Sequence, residues 1–230
     1  MDAHTLLVIA LSLGLSLGSF AASAYLSKKV KSPLLNPLLV SIAIIISVLV
    51  LLGVPLETYE SGVQVISALL GPATAVLAYS IYQQRKILKA YFFPVIAGCL
   101  AGSVTSMVSA YALCELFGLG DQIALSTLAK STTAPIALSI TGQLGGTASI
   151  TMAAVISTGV LGAMLAPSLV KLFRIRNKVA QGVAIGTCSH AVGTTKALEM
   201  GELEGAMSGV AIAVAGLLTC FIAIGVQILL

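Results

Sequence analysis

Apolar residues come in long blocks along this chain, parted by short basic, acidic or glycine- and proline-bearing stretches, with no soluble linker, low-complexity tract or heptad pattern. Six blocks, about 5–26, 38–52, 63–83, 91–116, 147–172 and 206–230, approach the ~20 residues an α-helix needs to cross a bilayer. In the first, Gly14 and Gly18 stand in the G-x-x-x-G spacing that permits close helix contact. Ser32-Pro33 and Asn36-Pro37 break the chain before the second, and a loop, GVPLETYESG, with Glu57 and Glu60, follows it. Gly71-Pro72 predicts a kink in the third. The fourth is rich in small residues (Gly98, Gly102, Ser103, Ser106, Ser109), and Glu115 and Asp121 follow in the next loop.

Two polar stretches interrupt this pattern, Lys130–Gly146 (KSTTAPIALSITGQLGG) and Gly182–Glu204 (GVAIGTCSHAVGTTKALEMGELE). A polar, glycine-punctuated segment at membrane depth survives only where protein buries it or where it lines an aqueous cavity. Ionisable groups there cost roughly 2.5–3.5 kcal/mol per lysine on insertion scales, so they mark a substrate or ion site by default.

Composition agrees with the pattern. Charged residues make up 9% of the chain, hydrophobic residues 58%, and the mean hydropathy is +1.07. Soluble domains run near ~25% charged. The chain reads as a single polytopic membrane domain, 1–230, all-α, with no room for a soluble domain. The net charge of +4 does not point to nucleic acid, because the bases lie in short loops between apolar runs. The cysteines (Cys99, Cys114, Cys188, Cys220) lack metal-ligand spacing and read as small buried hydrophobes. No metal or cofactor is expected. Ala22-Ser23-Ala24 imitates a signal-peptidase site, but the basic cluster follows the apolar run instead of preceding it, so cleavage is not expected.

The positive-inside rule sets the topology. With Lys28, Lys29 and Lys31 cytoplasmic, the N-terminus lies outside; single crossings then put Arg85–Lys89 inside and Glu115 and Asp121 outside. Span 147–172 must end inside, at Lys171, Arg174, Arg176 and Lys178. Residues 122–146 therefore cross an even number of times, yet are too short for two spans of ~20 residues. A re-entrant hairpin entering from outside fits. By the same logic 179–204 is a hairpin entering from the cytoplasm, and the C-terminus ends outside. Of twelve Lys and Arg, ten fall on the cytoplasmic side, and the two left over, Lys130 and Lys196, each belong to a hairpin. The expected fold is thus about six transmembrane helices plus two oppositely oriented broken helical hairpins. An inverted repeat, 91–146 against 147–204, follows from that topology, and transporters build midplane sites at such interfaces.

Candidate binding residues cluster at the hairpins. In Lys130, Ser131, Thr132, Thr133, Ala134 and Pro135, proline would start a half-helix and the hydroxyls would cap it. Its positive dipole end would then face the midplane as an anion site. In Ser189, His190, Ala191, Val192, Gly193, Thr194, Thr195 and Lys196, glycine would permit the turn and a threonine would cap the helix that follows. The lysines favour a small carboxylate over a sugar or a cation. Plainer roles stand beside these: Lys196 paired with Glu199, Lys130 reaching the outer surface, a structural His190, and hydroxyls satisfying backbone carbonyls. Ser189 beside His190 is not a catalytic dyad, since no third orienting group stands out. If transport is proton-coupled, His190 is the candidate coupling group; whether the coupling ion is H⁺ or Na⁺ stays open.

These stretches resemble the LrgB/CidB family of bacterial membrane proteins, which includes a plant plastid glycolate/glycerate transporter. The likeness rests on SPLLNPLLV, GVPLETYESG, AVLAYSIYQQ, KSTTAPIALSI and, above all, GVAIGTCSHAVGTTKALEMGELEGAMSG. Thr132-Thr133-Ala134 before Pro135 and Cys188 in place of alanine depart from the family's usual pattern. The resemblance implies a bacterial cell-membrane location and a small monocarboxylate such as pyruvate, glycolate or glycerate. It also implies an LrgA/CidA-like membrane partner, with further copies of the chain expected beside it. The alternative it implies is an antiholin-like modulator of murein hydrolase export and autolysis, without a transport cycle. Neither reading is of an enzyme.

Overall fold

The computed structural model describes all residues except 1, 2, 31–36, 70, 71, 73, 74, 77, 78, 80, 81, 84 and 230. The described residues are mostly helical, without strands. Two compact units are present, Met1–Ala73 and Thr74–Leu230.

In the first unit, α1 (Ala3–Val30) ends on Lys28 and Lys29, favourable charges for a helix C-terminus. Helix α2 (Pro37–Leu52) starts at proline and stops before Gly53, whose φ of 62° is left-handed. The stretch GVPLETYESG is not a loop. Pro55 presets the entry into α3 (Leu56–Gly62), and Glu57 sits in its first turn, where a carboxylate suits the helix dipole. A short α4 (Gln64–Ala68) follows. Ser16 Oγ bonds the Tyr59 hydroxyl at 2.7 Å and Ser19 Oγ bonds Ser41 Oγ at 3.0 Å, tying α1 to α3 and α2. A methyl at Gly14 or Gly18 would meet nothing within 4 Å, so this spacing makes no close helix contact among the described residues.

The second unit holds α5 (Arg85–Ala90), α6 (Phe92–Leu116), α7 (Gly120–Thr127), α8 (Ala134–Leu144), α9 (Ala148–Leu172), α10 (Lys178–Met200) and α11 (Glu202–Leu229). Four described helices are long and apolar enough to cross a membrane: Thr5–Val30, Phe92–Leu116, Ala148–Leu172 and Glu202–Ile228. They match four of the six expected spans. The block at 38–52 forms the 16-residue α2, about 24 Å long at 1.5 Å per residue against a ~30 Å hydrocarbon core. In 63–83, eight residues, Gly71 of the expected kink among them, lie outside the described residues.

Both polar stretches are broken helices whose arms fold back. In α10, Ile185 and Ala197 share one buried cluster with Ala166; a straight helix would hold them ~18 Å apart. The break is at His190, with φ 41° and ψ −141°. In the other stretch, α7 and α8 are parted by residues 128–133 and return to one place: Thr147 N donates to Ser126 Oγ at 2.7 Å, and Thr151 Oγ1 donates to Ser126 O at 2.8 Å. Gly145, left-handed at φ 76°, ends α8 there.

Candidate functional site

Helix α6 fixes where the two breaks lie. Along it, Gly98 meets Val183, Gly102 meets Thr187, Ser106 meets Lys130 and Ser131, and Cys114 meets Thr127. One half of α6 therefore carries the first arm of α10, and the other half carries α7 and the residues after it. The two tips approach from opposite ends and meet about one turn apart, since four residues of helix rise ~6 Å. Helix α9 repeats the order from the other side. Thr151 bonds Thr141 at 2.8 Å, Val155 O accepts from His190, Gly159 faces the His190 ring, Gly162 faces Ser189, and Ala166 packs on Ile185.

This close approach needs small residues. A β-carbon at Gly162 would overlap Ser189 Oγ, and one at Gly159 would overlap the His190 imidazole. Gly162→Ala is expected to destabilise by about 1–3 kcal/mol, as overpacking does. Gly142→Ala, where nothing stands within 4 Å, is the control. Thermal unfolding of the detergent-solubilised variants measures both, and equal midpoints would refute the tight seat.

Lys130 is the cation at the meeting point. Its Nζ donates to Ser106 Oγ at 2.8 Å and to Ser106 O at 3.2 Å, and Ser131 Oγ bonds Ser106 Oγ at 2.8 Å. An ammonium has three donors, so a third N–H is left for a ligand. The Cys188 thiol, from the other tip, is within electrostatic reach of this ammonium. Cys188 is exposed, not buried as expected. Each break also presents the N-terminus of a second arm: α8 begins at Ala134 with Pro135 in its first turn, and the second arm of α10 begins after His190. Orphan N–H groups and a positive dipole end favour an anion at such places.

The hydroxyls do not cap. Thr133 occupies the N-cap position of α8 without a side-chain bond, while Thr132 Oγ1 donates back to Ala129 O at 2.9 Å. Thr194 Oγ1 donates to His190 O at 3.1 Å and bonds Ser208 Oγ at 2.7 Å; Thr195 Oγ1 donates to Val192 O at 2.7 Å. These side chains bond back to carbonyls three or four residues earlier. Nor does glycine make the turn in α10. Gly193 lies in the second arm, where its missing side chain lets that arm close on Ser189 and Ile185.

Of the nine expected site residues, Lys130, Ser131, Thr132, Thr133, Ser189 and His190 come together around the tips. Ser189, His190, Thr132 and Thr133 are buried. Lys196 does not join them. It pairs with Glu199 at 2.7 Å on an exposed face, six residues (~9 Å) along the arm from the break. Thr195 is exposed beside it, and Thr194 turns to α11. Sequence reasoning missed Ser106, Ser208 and Glu204. The four-residue spacing of Gly98, Gly102 and Ser106 was the available sign of one small-residue face on α6. A groove in the first unit, lined by Thr5, Glu57 and Gln64 among others, offers a carboxylate and no base, which suits an anion poorly.

A family model described as LrgB-like family matches residues 16–228. The protein YxaC of Bacillus subtilis (strain 168), described as uncharacterized, is 40% identical over 173 residues, 75% of each chain. YwbG of the same strain, also described as uncharacterized, is 33% identical over 171 residues, 74% of this chain and 76% of its own. A protein of Bacillus mycoides (strain KBAB4) named antiholin-like protein LrgB is 37% identical over 163 residues, 71% of each chain. No solved structure matches.

Proposed function

This chain belongs to the LrgB-like family of multi-pass membrane proteins, and we propose that it is a secondary carrier of small monocarboxylates of the pyruvate, glycolate or glycerate type. The observation that supports this most is the meeting of two broken-helix tips at the middle of α6 and α9, with Lys130 and two half-helix N-termini directed to one place. Transporters commonly bind substrate at such discontinuous helices. In this reading the chain crosses six times, 122–146 and 179–204 are oppositely directed re-entrant hairpins, 91–146 and 147–204 form an inverted repeat, and both termini are extracytoplasmic. A small LrgA/CidA-like membrane protein and further copies of the chain are its proposed partners. No bond-making chemistry is assigned: Ser189 packs on Gly162 while His190 Nε2 is held on Val155 O.

The name antiholin-like carried by relatives favours a second reading, control of murein hydrolase export without a transport cycle. Uptake of labelled pyruvate and glycolate into proteoliposomes, with and without the partner, separates the two. Saturable uptake and exchange are expected; their absence in both preparations leaves the antiholin-like reading standing.

Two predictions accompany the carrier. Saturating substrate should slow alkylation of Cys188 at least about tenfold, as expected where substrate at about ten times its Kd leaves under about a tenth of the sites open. Equal rates with and without substrate would move the site away from Lys130. In a cysteine-free background, single cysteines at Glu60 and Asp121 should react with an impermeant reagent from outside, and those at Lys29, Lys86 and Lys178 should not. A cysteine at Lys178 that labels as readily as one at Glu60 would contradict the proposed direction of the 122–146 hairpin.

A further inference from the structure

Glu204 lies in the first turn of α11 and is 4% exposed. One carboxyl oxygen, Oε1, is 3.8 Å from Lys178 Nζ, at the start of α10, whose side chain is 65% exposed. The other, Oε2, is buried without a hydrogen-bond partner among the described residues. It is folded over Gly201, where a β-carbon would collide with it. A buried oxygen with no donor costs more than a long ion pair to an exposed lysine returns. A proton on the carboxyl group removes the buried charge and gives the group a donor, while Oε1 stays beside Lys178. A metal ion needs several oxygen ligands, and no cluster of three or more His, Cys, Asp or Glu exists among the described residues.

We propose that Glu204 is the proton-binding group that couples substrate movement to a pH gradient, an inference that rests on the carrier reading above. Glu204 exchanges one proton with water at the Lys178 end, the tips bind one monocarboxylate anion, and each anion crosses together with one proton in whichever direction the gradient drives them. The cycle moves no net charge. The connection to the tips is short. Glu204 stands one turn before Ser208, whose Oγ bonds Thr194 Oγ1 at 2.7 Å, and Thr194 in turn bonds the carbonyl of His190 at the break. The backbone of Glu204 and Ser208 also packs against Gly182 and Gly186 of the first arm. Charging Glu204 therefore acts on the seat of both arms of α10, which is what reciprocal coupling of two ligands requires.

The charged groups around it are few. Lys178 faces it from α10, Glu202 shares its turn, and the Lys196–Glu199 pair stands on the second arm. Cys99, from α6, lies further along α11 against Ala211. His190 donates Nε2–H to Val155 O in a buried seat, which leaves Nδ1 as its one nitrogen for a proton.

The test uses the full chain in proteoliposomes, with labelled glycolate and pyruvate. An acid-outside gradient should drive accumulation by wild type together with acidification of the lumen. Glu204→Gln should lose gradient-driven accumulation at least about tenfold yet still exchange labelled for unlabelled substrate, because exchange needs no net proton movement. Glu204→Asp should keep part of the gradient response. Wild-type accumulation by Glu204→Gln, or accumulation driven by Na⁺ and indifferent to pH, overturns the proposal. A wild-type protein that exchanges nothing overturns the carrier reading and this coupling role with it. Carbodiimide labelling reads the proton without transport: Glu204 should be modified in wild type, less so at alkaline pH, and an unmodified Glu204 at acid pH also overturns the assignment.

Discussion

Lys130→Ala should weaken binding of glycolate or pyruvate by about 1.5–3 kcal/mol, roughly 10–150-fold in Kd, the range for hydrogen bonds to charged groups. Two of the three donors on this ammonium are spent on Ser106, which leaves the third for a ligand. The change removes the ligand's counter-charge and leaves Ser106 Oγ to Ser131 and Ser106 O to Ser109. Lys130→Arg should not restore affinity, since a planar fork cannot occupy the seat of a compact ammonium. Ser106→Ala should cost less, because it frees the lysine without removing it. Lys196→Ala is the control: its exposed pair with Glu199 contributes at most ~1 kcal/mol to stability and does not reach the tips. Binding isotherms on purified protein decide the matter. Wild-type affinity in Lys130→Ala would dismiss the site, and a loss at Lys196 alone would relocate it.

What could be read before the structure was what hydropathy and charge record. Length and apolarity located α1, α6, α9 and α11 to within a few residues, because a helix in hydrocarbon must be apolar on every face. The two polar stretches were legible for the complementary reason, that nothing else in the chain accounts for a half-buried Lys130 and a buried His190. The local chemistry was not. Threonines next to a break can cap the new helix or back-bond to the old carbonyls, and sequence contains both options. The structure takes the second at Thr132, Thr194 and Thr195. The bonds of Ser106, Ser208 and Glu204 were not legible because their partners lie 14 to 26 residues away, on elements whose register only packing decides. The acidic loop became α3 because Pro55 can start a helix as readily as it ends one.

His190 is the residue whose backbone and side chain can be separated by experiment. Its φ of 41° with ψ of −141° belongs to a region open to glycine and costly, by about 1–3 kcal/mol, for any residue with a β-carbon. Glycines are plentiful nearby at 182, 186 and 193, so retaining an imidazole there means that the side chain repays the strain. The repayment visible is the bond from Nε2 to Val155 O at 2.9 Å in a buried seat opposite Gly159. His190→Ala keeps the strained backbone and loses both bond and packing, so it should destabilise by about 2–4 kcal/mol, near the cost of a large-to-small change in a core. His190→Gly loses the same contacts but relieves the strain, and should be the more stable of the two by about 1–2 kcal/mol. Unfolding midpoints of the two variants give the comparison. If alanine is tolerated better than glycine, the break does not lie at residue 190 and the two arms of α10 turn elsewhere. If the order is as stated and transport still fails in His190→Gly, the imidazole acts on the substrate as well as on the fold.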